Sequence, residues 1–414
     1  MIKFNILLCL FVAAIFVAAL SVEDSYGTPA FSRKYQTSCA TCHYAFPQLN
    51  AFGKAFMNNG FRWPGGDSNY VKEEPVKLGG DVVWPSDMPG TVPLSINLNG
   101  LINYDAMSGT AKWNFNIPNY LKISSYGTLG SQFSFFGESG FANAGNAYTF
   151  IFTGFIQWDA SPEFHIKAGE VRADPTPRVL KLTTNDYNIE DLTSRNGWSF
   201  SNPQFGIELW GALNGIGNHG GLTYRFGVVN GQGITSIKPT KDFYGKVTYK
   251  FCGLSETGVT KGVKSTATEP YMDNSLTIGG YFYKGIESGA VDEKLTILGG
   301  DIDLWFNRFI VNSSLMYMNS DEPANLYAGS GPNCKSIAYY VQTNGVIYPW
   351  LIGLVRYEWT RADIHSSDPA VMSIIPGITF LPRANIKLSL EAKKFLDKVN
   401  SKNTTFSLGI GFAM

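Results

Sequence analysis

Alternation constrains this chain most. From about residue 92 to the C-terminus, short segments repeat an apolar–polar step of two. That is the period of a strand with one apolar and one polar face. Val92, Leu94, Ile96, Leu98, Ile102 and Tyr104 fall on one face, Ser95, Asn97, Asn99 and Asn103 on the other. The C-terminus repeats the pattern, with Phe406, Leu408, Ile410 and Phe412 against Ser407, Gly409 and Gly411. Read through, the segments fall at 92–104, 119–125, 130–138, 148–159, 163–171, 205–211, 221–229, 242–250, 274–284, 294–305, 308–318, 336–346, 350–359, 371–380, 385–393 and 404–412.

A soluble sandwich shows the same alternation, so composition and loop lengths have to decide. Charged residues are 16% and aromatics 14% of 414 residues, with 33 basic and 33 acidic side chains. A disordered chain is more charged and less aromatic. A nucleic-acid binder carries a basic excess, so none is expected as a partner. Mean hydropathy is -0.05, far below that of a helical membrane protein. Connectors are short at Pro162, Asn307, Pro349 and Arg383 but long at 105–118, 172–204 and 319–335. Short turns on one rim, long loops on the other and aromatics on the apolar face are the habit of outer-membrane barrels. The expectation is an all-β chain, a transmembrane β-barrel of about sixteen strands in contact with outer-membrane lipid. The segment 251–273 is awkward, because parity puts it on the short-turn rim. The polar face is the lumen, with Lys167, Glu208, Arg225, Asp301, Asp303 and Glu391 of mixed sign. His165 alternates with Phe164 and Ile166 and is expected to face inward, as a polar lining residue.

The N-terminus is of another kind. Lys3, an apolar run from Phe4 to Leu20, and Ser25-Tyr26-Gly27 read as a signal peptide ending at residue 27. Residues 39–43 then read Cys39-Ala40-Thr41-Cys42-His43. C-x-x-C-H is the c-type haem attachment motif. Two thiols at this spacing reach both vinyl groups of one porphyrin edge, and His43 supplies the proximal nitrogen. A redox dithiol or half of a zinc site would use the same two cysteines. Zinc needs further ligands, and His165, His219 and His365 are all distant in sequence. Downstream, Leu49, Phe52 and Phe56 share one helical face, with Pro47 suited to the first turn and Gly60 to the stop. Phe52 and Phe56 are expected to pack on the haem. The distal ligand stays open between Met57, Met88, Met107, His165 and no protein ligand. Pairing of Cys252 with Cys334 is also open.

Phe31-Ser32-Arg33-Lys34-Tyr35, Cys39 to His43, the run Phe46 to Phe56, and Asn59-Gly60-Phe61 together resemble the N-terminus of outer-membrane porin–cytochrome c fusions. That family includes the iron-oxidising monohaem cytochromes of aerobic iron bacteria. The resemblance covers roughly residues 29–65. It implies a small α-helical haem domain joined to a barrel, with one covalent haem c held by Cys39, Cys42 and His43. The expected division is a signal peptide over 1–27, a haem domain over 28–75, a linker over 76–91 and the barrel over 92–414.

The expected function is transfer of single electrons across the bacterial outer membrane. Fe(II) or another extracellular reductant would be the donor and a periplasmic c-type cytochrome the acceptor, an Fe(II):cytochrome c oxidoreductase if catalytic at all. No side-chain acid–base or nucleophilic catalysis is required. The alternatives are a porin-like channel with a haem sensing or gating domain, and outward electron transfer to extracellular metal.

Overall fold

A computed structural model describes residues 30–73, 76–77, 87–88, 90, 93–106, 112–143, 147–172, 184–189, 204–231, 239–260, 269, 271–287, 293–321, 334–367, 369–397 and 403–414. Residues 1–27, read above as a signal peptide, lie outside them, as do most of 74–92, Met107 and the Met88 side chain.

Sixteen antiparallel strands close into one barrel. They are β1 (Leu94–Asp105), β2 (Trp113–Leu129), β3 (Phe133–Asn143), β4 (Tyr148–Ser161), β5 (Phe164–Val171), β6 (Gln204–Asn214), β7 (His219–Val229) and β8 (Asp242–Leu254). They continue as β9 (Ser275–Glu287), β10 (Glu293–Phe306), β11 (Phe309–Ser320), β12 (Cys334–Tyr348), β13 (Leu351–Arg361), β14 (Val371–Arg383), β15 (Ile386–Phe395) and β16 (Thr404–Ala413). Each strand pairs with its neighbours in sequence, and β16 closes on β1 through Phe406–Tyr104 and Leu408–Ile102. Closure leaves no edge strand with unpaired backbone groups. All sixteen expected segments are strands, most of them extended by a few residues.

One extension is longer than the rest. β2 begins at Trp113, six residues before the segment read from sequence, and runs through Pro118. The ladder to β1 jumps from Asn99–Tyr120 to Leu101–Asn116, and Pro118 sits in that slip. A residue without an N–H is tolerated where the ladder is already interrupted.

The alternation sorts the wall as expected. Ser95, Glu208, Asp301, Asp303, Glu391 and Ser407 are buried on the inner face. Phe152, Ile207, Leu315 and Phe406 stand exposed on the outer face. An apolar outside on a closed sixteen-stranded barrel is stable only in lipid, and this architecture belongs to the bacterial outer membrane. Among the described residues no helix is long and apolar enough to cross a bilayer. Leu315, 52% exposed midway along β11, measures the lipid face. Leu315→Arg is expected to destabilise the barrel by ~2–4 kcal/mol if it lies near the bilayer midplane. Urea unfolding in lipid vesicles tests this, and an unchanged midpoint would mean that the outside is not lipid-exposed there.

Short turns fix one rim. Gly130–Gln132, Pro162–Glu163, Asn307–Arg308 and Pro349–Trp350 all lie there, and in outer-membrane barrels that rim is periplasmic. The awkward segment also lies there, running from the end of β8 to the start of β9 as 255–274. Cys252 lies near this rim and Cys334 near the opposite one, so no disulfide joins them. Within the stretch read as a linker, Val76–Lys77 pairs with Asp87–Met88.

Two pieces of chain occupy the bore. The first is the N-terminal segment 30–73. It carries helix α1 (Ala30–Tyr35) and helix α2 (Ala51–Asn58), with a small hairpin of His43–Ala45 and Gln48–Leu49 between them. The second is residues 184–189, from the long connection between β5 and β6, lying on the inner wall of β12, β13 and β15.

Candidate functional site

The C-x-x-C-H residues lie on a tight loop in front of α2. Cys39–Thr41 form a single 3-10 turn, capped by the Ser38 hydroxyl accepting from the Ala40 N–H at 3.2 Å. Asn50 ties that loop to the helix. Its side-chain oxygen accepts from the Gly53 N–H at 2.8 Å, capping α2, and its amide donates to the Thr41 carbonyl at 3.1 Å. Its backbone N–H donates to the Cys42 carbonyl at 2.9 Å. The helix therefore starts at Ala51 and not at Pro47, which instead lies in the turn of the hairpin. Gly60, at φ +65, follows the end of α2 as expected.

Gly53 sets the distance between helix and motif. A Cβ there would lie 2.1 Å from the Cys42 carbonyl oxygen. Met57 is one turn further along the same helical face. Phe56 turns into an aromatic cluster, 5.0 Å from Phe31 and 5.6 Å from Tyr35 between ring centres. Phe52 lies 4.9 Å from Trp63.

His43 Nδ1 lies 3.0 Å from the Pro47 carbonyl, which accepts its proton and leaves the lone pair on Nε2. A ring nitrogen oriented through a backbone carbonyl in this way is what an iron-ligating histidine requires. Burial pushes the His43 imidazole down to about 4, so the neutral, ligating form holds at pH 7. Cys39 and Cys42 form no disulfide. Burial, with the neighbouring Cys39, pushes the Cys42 thiol up to about 12, and burial also raises Cys39. A redox dithiol needs the opposite shift, toward thiolate. Among the described residues no cluster of three or more His, Cys, Asp or Glu gathers to hold a metal ion, so the half-zinc alternative gains no further ligands there. The residues fit a covalent haem.

The wall grips this segment around most of its circumference. On one side the Ala30 N–H donates to Ser95 Oγ at 3.2 Å and Arg33 to the Leu94 carbonyl at 2.7 Å. On another, Lys54 pairs with Asp303 at 2.7 Å, and Tyr44 lies edge-on to Trp305 at 5.2 Å. On a third, Asp159 takes Arg62 at 2.9 Å and His165 Nδ1 at 2.8 Å. His165 faces inward as expected. Its Nε2 lies 3.1 Å from the Asn58 carbonyl, and its ring stacks on Trp210 at 4.1 Å between ring centres. With both nitrogens engaged, it anchors α2 and is not available as an iron ligand.

The segment 255–260 completes the grip. Asn58 donates to the Glu256 carbonyl and carboxylate, each at 2.9 Å, and Asn59 donates to the Thr257 carbonyl at 2.9 Å. Gly258 lies against Pro64 and Ala55 with no space for a side chain. The sequence reading missed these clamp residues and also missed Asn50. Only Asn50 had a local signal, an Asn immediately before a helical face.

Higher in the bore, residues 184–189 are pinned. Glu391 accepts from the Asn185 N–H at 3.0 Å and the Asn185 amide at 2.7 Å, and Glu358 accepts from the Asn188 N–H at 3.1 Å. Arg356 donates to the carbonyls of Asn185 and Asp186, both at 3.1 Å.

No protein-family model matches the chain, and no curated protein matches its sequence. Solved structures match its fold. The anion-selective porin of Comamonas acidovorans is 11% identical with a TM-score of 0.53, covering 78% of this chain and 99% of its own. OmpF of Salmonella typhi, in complex with daunomycin, is 10% identical at 0.51, covering 82% and 100%. The outer-membrane channel DcaP of Acinetobacter baumannii is 13% identical at 0.50, covering 78% and 96%. At such identity the likeness shows the fold, that of outer-membrane porins.

Proposed function

We propose that this outer-membrane barrel carries one covalent c-type haem on its N-terminal segment and passes single electrons across the membrane. The observation that carries the reading is a C-x-x-C-H loop seated within the periplasmic half of the bore, with His43 already oriented as a ligand. Bound there, the group supplies reversible one-electron chemistry. The chain's own residues do the rest. Cys39 and Cys42 would hold the group covalently, and His43 would supply a nitrogen to its iron. Met57, one helical turn beyond Gly53 on α2, would be the candidate for a second iron ligand in this reading. Phe52 and the aromatic residues around it would exclude water and so help to set the potential. The barrel is an insulated sleeve through a hydrocarbon layer about 30 Å thick. The partners in this reading are extracellular Fe(II) or another reductant and a periplasmic c-type cytochrome.

Redox titration of the purified chain, followed by stopped-flow mixing with Fe(II), tests it. A haem-stained band in the outer-membrane fraction, lost in Cys39→Ala/Cys42→Ala, and haem reduction by Fe(II) are expected. A haem that stays oxidised would reject Fe(II) as donor. A strongly negative midpoint potential would favour outward transfer instead.

The likeness to porins favours a second reading, in which the barrel is a channel and the haem segment its gate. Conductance in planar bilayers separates the two. A wide, stable pore indifferent to redox state would remove the conduit reading.

A further inference from the structure

The two occupants of the bore are joined by one chain of hydrogen bonds. The Tyr187 hydroxyl donates to Gln342 Oε1 at 2.9 Å. The Gln342 amide donates to Asn344 Oδ1 at 2.9 Å. The Asn344 amide donates to the Tyr44 hydroxyl at 3.4 Å. Tyr44 is the next residue after His43. All four side chains are almost fully buried, the most exposed being Tyr44 at 3%. Gln342 and Asn344 are alternate inward-facing residues of β12, which places them in one column on the inner wall.

Both ends are held. The Tyr187 ring lies 4.3 Å from the Tyr340 ring and 4.3 Å from the Arg356 guanidinium. Beside it Asp186 is exposed, while Tyr187 itself is buried. At the lower end Trp305 packs edge-on against Tyr44, and Lys54 lies 5.3 Å from the Trp305 ring. Buried polar groups whose links are all made are rigid.

The geometry points to a conduction path. We infer that Tyr187, Gln342, Asn344 and Tyr44 couple the outer vestibule electronically to the haem ligand His43. Electrons tunnel far better along covalent and hydrogen bonds than across gaps, and here only three hydrogen bonds separate the inserted loop from the residue beside His43. One electron leaves a one-electron reductant on the outer side, raising that reductant by one oxidation state. It arrives at the iron held by His43, taking it from ferric to ferrous. No bond forms or breaks, no tyrosine is oxidised and no proton is transferred. The path serves either direction of flow. It rests on the haem reading given above.

The test uses the full chain in phospholipid vesicles, with hexaammineruthenium(II) added to the outer side as a membrane-impermeant donor. That probe works whether or not Fe(II) is the physiological donor. Gln342→Leu and Asn344→Leu are expected to slow haem reduction several-fold. Midpoint potential, haem absorption and planar-bilayer conductance are expected to stay at the wild-type values. Tyr187→Phe keeps the ring packing against Tyr340 and is expected to slow haem reduction. Equal rates in every variant would overturn the path and leave the haem reading intact. Slower reduction with raised conductance or a shifted potential would make these residues seals of the bore, and would also overturn it. Absence of covalent haem in the wild-type chain would overturn both.

Discussion

Removal of residues 30–73 will open the barrel. The wall does not depend on that segment for its backbone, since every strand pairs with the next and β16 closes on β1. The segment nonetheless fills the periplasmic half of the bore, held by Ser95, Asp159, His165, Asp303 and Glu256. A barrel of sixteen strands otherwise leaves an aqueous channel. Those five residues would simply be hydrated by lumen water, so the loss should not collapse the wall. Single-channel conductance in a planar bilayer should rise several-fold over that of the intact chain. Residues 184–189 still narrow the outer half, so the pore should remain smaller than an unobstructed sixteen-stranded lumen. Unchanged conductance would mean that the inserted loop alone seals the bore, and that the N-terminal segment is not the plug.

Gly53→Ala will uncouple the motif from its helix. The added methyl carbon would meet the Cys42 carbonyl oxygen at 2.1 Å, far inside contact distance. Neither side can yield cheaply. Cys42 is the acceptor for the Asn50 N–H, and Asn50 in turn caps α2 and holds Thr41. Forcing one methyl into a packed site costs about 1–3 kcal/mol, and here it also moves backbone on which three hydrogen bonds depend. On the haem reading proposed above, haem stain per barrel should fall sharply, while the barrel itself folds and inserts as before. Asn50→Ala should act in the same direction through loss of the cap, at about 1 kcal/mol. Wild-type haem content in Gly53→Ala would show that the helix is free to move away from the motif, and would refute the close approach.

The wall was legible in the sequence and the plug's seat was not. Alternation is a local signal, and Phe406 beside Ser407 declares its two faces without reference to any other strand. The strand count survived even at Pro118, because a slip in the β1–β2 ladder absorbs the missing N–H. The C-x-x-C-H motif and the stop at Gly60 were equally local. What holds the plug is not local. Asn58 answers to Glu256 and His165, and Asn188 to Glu358, across intervals that no periodicity spans. The segment 255–274 was conspicuous only as a length that did not belong on a short-turn rim. That misfit was the one trace of the clamp, and a connection too long for its side of a barrel is a reason to look for something it holds.

The spread of the plug's partners, from Leu94 to Asn344, also fixes an order of assembly. Contacts of such sequence separation form late, since the loops between them must close first. The N-terminal segment has no complete seat until β12 is in place. A newly inserted barrel is therefore briefly an open hole in the membrane. The remedy is in the covalent chain. Roughly twenty residues join Glu73 to β1, and a tether of that length keeps its cargo at about millimolar effective concentration. The stopper arrives attached to the bottle, and the leak lasts only as long as one intramolecular encounter.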